Sequence, residues 1–204
     1  MDLRKELLIV RTGRVERNTS ETQIEVEVNL DGSGKASIET PIPFLSHMLE
    51  QLPRHGMFDL TVRAKGDVDI DGHHTTEDTA IVLGKALLQA LGDRKGIRRY
   101  GSATLPMDEA LVTVALDLSG RSYFVWRVPM PKAKIGTWDS ELAEVFFEGL
   151  ARSLGCNLHV HLHTGENLHH IVEISFKALA RALREASELD PRSNAIPSTK
   201  GSLD

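Results

Sequence analysis

The chain has 204 residues, 41% hydrophobic and 26% charged, with a formal net charge of −5. That size and balance suit one medium globular domain, or two small ones sharing a core, and the acidic excess argues against a nucleic-acid or membrane-surface partner met through a broad basic field. The single cysteine, Cys156, rules out an intrachain disulfide and a thiolate cluster; with no long apolar run at the start and none of membrane length, a cytoplasmic protein is expected.

Residues 6–10 read as a short strand and residues 11–21 as a polar turn region. Residues 23–30 alternate apolar and polar, which predicts a half-buried strand with Ile24, Val26, Val28 and Leu30 on its covered face. Asp31-Gly32-Ser33-Gly34 reads as a hairpin turn, with residues 35–39 returning as its partner strand. Pro41 and Pro43 break that strand, and a helix is expected over 43–54, with Gly56 as its C-terminal cap. A strand over 60–70 and a turn at Asp71-Gly72 lead into a helix over 73–91, which Gly92 ends. After a link at 95–101, strands are expected at 103–105, 110–118 and 122–128, then a Pro/Gly loop. Asp139 or Ser140 would cap a helix running to about Leu154. Residues 156–163 read as a strand and residues from Asn167 to about Glu188 as a helix, with Val172, Phe176, Leu179 and Leu183 as its apolar stripe. The tail from 190 is Ser/Pro/Asn-rich and irregular.

The order repeats. His73-His74-Thr75-Thr76-Glu77 in the first half has a second copy, His169-His170-Ile171-Val172-Glu173, and Gly84-Lys85-Ala86-Leu87 matches Ala180-Arg181-Ala182-Leu183 at the same distance downstream. Each half therefore reads strand, strand, helix, strand, helix. Two related halves make an α+β protein, each a sheet backed by two helices, with one acidic-histidine cluster in each half. In helical spacing the first histidine and the glutamate share a face, whereas the adjacent histidines diverge by about 100°. One ion does not easily take both rings, so the pair suits two metal ions. The simpler alternative is a polar helix start, which a second copy in matching context disfavours.

His47, between Leu45 and Leu49, is a third candidate ligand, or a satisfied core histidine. A nitrogen and oxygen shell without thiolates favours Mn, Fe, Co or Zn. His159, His161 and His163 alternate along one strand and either form a metal face or line a half-solvated sheet, with no carboxylate in their pattern. Arg99, Arg121, Lys177 and Lys200, with Ser198 and Thr199 beside the last, are solvated charges one by one and a phosphate-binding set together. Glu21 lies in a polar stretch, as a loop charge or a general base.

The segments Asp71-Gly72-His73-His74-Thr75-Thr76-Glu77-Asp78-Thr79-Ala80 and Phe44-Leu45-Ser46-His47-Met48-Leu49 carry a resemblance. So do residues 92–101, Pro106-Met107-Asp108-Glu109-Ala110 and Ser198-Thr199-Lys200-Gly201. Together they resemble the imidazoleglycerol-phosphate dehydratase family, from about Arg14 to Gly201. The resemblance implies dehydration of imidazole glycerol phosphate to imidazole acetol phosphate in histidine biosynthesis, on duplicated ribosomal-protein-S5-domain-2-like halves. It implies one catalytic domain of two repeats, about 6–95 and 96–190, with the tail contributing to the site. It also implies two Mn2+ ions per active site, and self-association into a 24-subunit shell with sites between subunits. By matched position the metal ligands would be His47, His73, His74, Glu77, His169, His170 and Glu173, and the base Glu21. The phosphate would be held by Arg99, Arg121, Lys177, Ser198 and Lys200, with Thr199 adjoining and Gln51 beside the substrate.

One position departs from the family pattern. A histidine usually precedes the paired phenylalanines of the helix near residue 146, as the repeat partner of His47; here it is Val145. The site is then expected to be short of a ligand, to use water, or to recruit Glu144 or Glu141. Two rival functions stay open: another metal-dependent lyase or hydrolase for a different phosphorylated substrate, and a non-catalytic metal-binding or RNA-binding module. The acidic balance and the lack of interleaved basic and aromatic residues disfavour RNA.

Overall fold

A computed structural model describes residues 10–203. The strand expected at 6–10 lies outside the described residues apart from Val10, which is not in a strand. The first half comprises β1 (Thr12–Asn18), β2 (Thr22–Asn29), β3 (Ala36–Glu39), α1 (Pro43–Gly56), β4 (Asp59–Gly66) and α2 (His73–Leu91). The second comprises β5 (Tyr100–Met107), β6 (Ala110–Asp117), β7 (Tyr123–Arg127), a small ribbon of β8 (Lys134–Ile135) and β9 (Trp138–Asp139), α3 (Leu142–Leu154), β10 (Asn157–Thr164) and α4 (Leu168–Ser187).

The two sheets have the same plan. Their orders are β1-β2-β4-β3 and β5-β6-β10-β7. β2 and β6 pair antiparallel with both neighbours, while β3 and β7 run parallel to β4 and β10. This corrects the hairpin expected at 31–34: β3 does not return along β2 but lies beyond β4. β2 behaves as its alternation predicts in burying Ile24, Val26 and Val28, while Leu30 falls just past its end and is half-buried.

The turn region expected at 11–21 is mostly β1. It was hidden because an edge strand covered by a helix needs little apolar side chain here: Gly13 is buried and Val15 half-buried, while Arg14 and Glu16 point out. β5 is longer than expected for the same reason. The left-handed cap of α1 is Met57 (φ 60°), not Gly56. Gly56 is the last helical residue, and a Cβ there would strike the Phe58 ring. Asp139 lies in β9, and α3 starts after Glu141 without a side-chain cap.

The helical layers of the halves meet each other across the middle. α1 packs on α4 and α2 on α3, and one continuous core joins both halves. The Val172, Phe176, Leu179 and Leu183 stripe of α4 is buried there as predicted. Cys156 is also buried, and burial pushes its thiol up to about 12, so it stays protonated at neutral pH. Among the described residues no helix is long and apolar enough to cross a membrane.

Candidate metal and phosphate site

The histidine pairs stand in the first turns of α2 and α4, as residues one and two of α2 and two and three of α4. An Asx side chain two residues ahead accepts the backbone N–H of the first histidine: Asp71 from His73 at 2.7 Å, Asn167 from His169 at 3.0 Å. This ties one of the free donors of a helix start and fixes the first turn. The paired rings stand nearly perpendicular, 89° for His73 and His74 and 81° for His169 and His170.

The first histidine of α4 faces a carboxylate and a second imidazole. Glu173 is only 7% exposed, and its Oε2 lies 2.9 Å from His169 Nε2 and 3.4 Å from His47 Nε2. Its Oε1 takes the Lys177 ammonium at 2.7 Å. Burial alone would raise the Glu173 carboxyl, but Lys177 and His169 outweigh burial and hold it below the usual range. Among the described residues, His47, His169 and Glu173 form the one group of three or more donors able to share an ion, all within 4.8 Å of one another. Two imidazoles and an ionised carboxylate suit a first-row divalent ion. Gln51 donates to the His47 carbonyl at 3.0 Å, and the Phe44 ring stands edge-on to His169 at 5.2 Å. Because α1 packs on α4, this cluster spans the two halves. The expectation of one cluster within each half is corrected accordingly.

His73 and Glu77 on α2 line a second cleft of about 490 Å3, shared with Val145, Glu148, Gly149 and Arg152 of α3. It too takes one helix from each half. Neither Glu144 nor Glu141 lines it. Glu144 is exposed, and Glu141 is 3.2 Å from Lys132, so the expected recruitment of either carboxylate is not seen.

The second histidine of each pair belongs to neither cluster. His74 Nδ1 is 3.0 Å from Asp67, and His170 Nδ1 is 2.8 Å from Glu109. Those carboxylates raise both imidazoles above their ordinary range, and His170 together with backbone N–H groups holds Glu109 down to about 2. A carboxylate on Nδ1 sets the tautomer and leaves Nε2 as a metal donor, the usual outer-shell arrangement of ligating histidines. Glu21 sits 3.9 Å from His74. The β1–β2 turn that carries it is pinned to α2 through Asp78, which is buried, meets Arg17 at 3.1 Å and accepts from Thr22. Sequence reasoning gave no role to Asp67, Glu109 or Asp78. Glu21 and Glu109 each directly precede the second strand of their sheet, a repeat signal that could have found the latter.

Arg99, Arg121, Ser198, Thr199 and Lys200 come together around a cleft of about 540 Å3. The tail is drawn there because Arg99 donates to the Pro197 carbonyl at 2.8 Å and Arg94 to the Leu203 carbonyl at 2.8 Å. Arg99 also holds Asp117 through two N–H groups, at 2.7 and 3.1 Å, so part of its fork remains for an anion. Lys177 is not in this cleft; it lies with Glu173. His159 and His161 stack in parallel at 6.2 Å, with Tyr123 beyond His159, and His163 bonds Thr113 at 2.7 Å. These three histidines belong to an open sheet face with no carboxylate among them.

The fold and site define a duplicated α+β protein with a histidine–carboxylate group able to share a metal ion, a second cleft lined by His73 and Glu77, and a separate basic cleft. The comparisons specify which. The family model described as imidazoleglycerol-phosphate dehydratase matches residues 40–183. The relative of that name from Roseobacter denitrificans is 58% identical over 195 residues, covering 95% of this chain and 100% of the relative. The one from Geobacter metallireducens is 54% identical over 193 residues, covering 95% and 99%. The crystal structure of the Staphylococcus aureus dehydratase superposes with TM-score 0.80 at 36% identity, covering 88% of this chain and 99% of that one. A Pyrococcus furiosus structure, in complex with (S)-C348, gives 0.79 at 35% identity, covering 93% and 100%. The chain belongs to the imidazoleglycerol-phosphate dehydratase family.

Proposed function

We propose that this protein is the hydro-lyase that converts imidazole glycerol phosphate to imidazole acetol phosphate in histidine biosynthesis, in the cytoplasm. The observation that carries this beyond the family likeness is the convergence of His47, His169 and Glu173 on one point. We read the chain as a single catalytic domain of two repeats, about 6–95 and 96–190, with the tail 191–204 completing the site.

Bound Mn2+ ions would supply Lewis acidity to the substrate imidazole, favouring its anionic form. His47, His169 and Glu173 would hold one ion, and His73 with Glu77 would hold the other. His74 and His170, which face out of their own clusters, would serve ions on neighbouring copies. That division fits a homo-oligomeric shell of 24 subunits with sites between subunits. Arg99, Arg121, Ser198, Thr199 and Lys200 would fix the phosphate, and Lys177 would reach it from the metal side. Gln51 would flank the substrate. Holding the remote phosphate places the reacting carbons, so binding energy supplies orientation. Glu21 would take the proton from the carbon next to the one that loses hydroxide. The electron pair of that C–H bond forms the new double bond, and the enol tautomerises to the ketone.

The test is turnover of imidazole glycerol phosphate by the assembled, metal-replete protein, with metal content measured on the same sample. Formation of imidazole acetol phosphate supports the reading. Absence of turnover, together with turnover of another phosphorylated substrate in a panel, would overturn it.

A further inference from the structure

The two donor clusters are repeat-equivalent in position but not in ligands. α1 and α3 end alike, on left-handed caps at Met57 (φ 60°) and Gly155 (φ 68°). Counting back from those caps, the buried Met48, Leu49 and Leu52 of α1 match the buried Phe146, Phe147 and Leu150 of α3. In that alignment His47 matches Val145. α1 meets α4 as α3 meets α2, so Val145 stands toward His73 and Glu77 as His47 stands toward His169 and Glu173. The lining of the second cleft agrees: Val145 and Ile81 face the same space as His73 and Glu77.

Among the described residues lining the cleft, only His73 carries an imidazole. Glu148 lies one turn further along α3 and lines the cleft, with Arg152 at 3.7 Å. Its counterpart Glu50 approaches Nδ1 of His47 at 4.0 Å, whereas Nε2 is the atom that meets Glu173. By that repeat equivalence, a carboxylate at position 148 belongs behind the ligand position, not in it. His74 and His170 are themselves repeat-equivalent, so whatever each lends to a neighbouring copy leaves the inequality in place.

Resting on the reading of these clusters as divalent-metal sites, we propose that the protein binds its two ions in two affinity classes. The cluster of His47, His169 and Glu173 is the tight one, and the cleft of His73 and Glu77 is the weak, exchangeable one, with Val145 as the residue that sets the difference. Loss of one imidazole from a first-row metal shell costs at least the roughly tenfold in affinity that loss of an outer-shell partner costs. Occupancy of the second cleft, and with it any step that needs both ions, then follows the free metal concentration.

The experiment is titration of chelator-stripped, assembled protein with Mn2+, followed by the electron paramagnetic resonance of free Mn2+ and by calorimetry. One ion per chain is expected in a tight class and a second at least about tenfold weaker. Val145→His, at a half-buried position beside open space, is expected to bring both ions into the tight class. His47→Val is expected to abolish that class. Two equally tight ions in the unaltered protein would overturn the proposal while leaving the metal reading intact. No tight ion in either the unaltered protein or Val145→His would overturn the metal reading itself.

Discussion

An imidazole whose Nδ1 is held by a carboxylate can offer only Nε2, so Asp67 and Glu109 decide which way His74 and His170 act. Both carboxylates come from outside the histidine motif, one after β4 and one from the β5–β6 turn. Glu109→Gln keeps a hydrogen-bonding side chain but removes the charge. It is expected to lower Mn2+ affinity by about 10–100-fold at the ion that His170 serves, measured by calorimetry, while leaving the fold unchanged by circular dichroism. Glu21 has a different task. It is exposed, lies 3.9 Å from His74, and is carried on a turn pinned by buried Asp78. Glu21→Gln is expected to leave Mn2+ and phosphate-ester binding within about twofold of the unaltered protein and to cut turnover by about 10²-fold or more. Full turnover in that variant would assign the proton transfer to another group.

At the scale of elements, each sheet brings a glycine of its edge strand close against a helix. Gly13 of β1 and Gly101 of β5 occupy the second position of matching edge strands. A Cβ on Gly13 would drive into the Ala86 carbonyl of α2, and one on Gly101 into the Ala182 carbonyl of α4. Backbone cannot retreat as a flexible side chain can, so the strand must lift from the helix. Gly13→Ala and Gly101→Ala are each expected to destabilise the protein by about 1–3 kcal/mol, read from chemical denaturation. A neutral Gly13→Ala would mean that β1 sits less closely on α2 than described. The same closeness explains why these strands were illegible in the sequence. β2 and α4 announced themselves through periodic apolar patterns, whereas β1 buries a glycine and half a valine. The placement of β3 beyond β4 was illegible for another reason: a turn-rich stretch names a change of direction, not the strand to which the chain returns.

At the scale of the whole molecule, the clusters sit where helices of opposite halves touch, and their second histidines face outward. If each active site draws on two subunits, damage to different halves is complementable. His47→Ala and His74→Ala, inactive as separate assemblies, are expected to regain part of the turnover when dissociated, mixed and reassembled. Sites then form in which His47 comes from one chain and His74 from the other, each intact. Mixed assemblies as inactive as their parents would place each site within a single chain. The tail belongs to this scale as well. Arg94 and Arg99 hold its backbone carbonyls, and only then do Ser198 and Lys200 come beside Arg121.

The sequence alone determined the duplication, the α+β class, the divergent histidine pairs and the set of ligand-type residues, because these follow from local spacing and from the repeat. The family resemblance also singled out Val145, where the family pattern has a histidine. Tertiary structure decided how the residues are grouped. Sequence order assigned His47 to the first half, but α1 packs on α4, so His47 joins His169 and Glu173, while Val145 falls to His73 and Glu77. It likewise separated Lys177 from the Arg99 cleft and supplied Asp67 and Glu109 to the outward histidines. The physical reason is that helical periodicity states which face of a helix is buried, whereas the partner on that face is chosen by burial of apolar surface between elements distant along the chain.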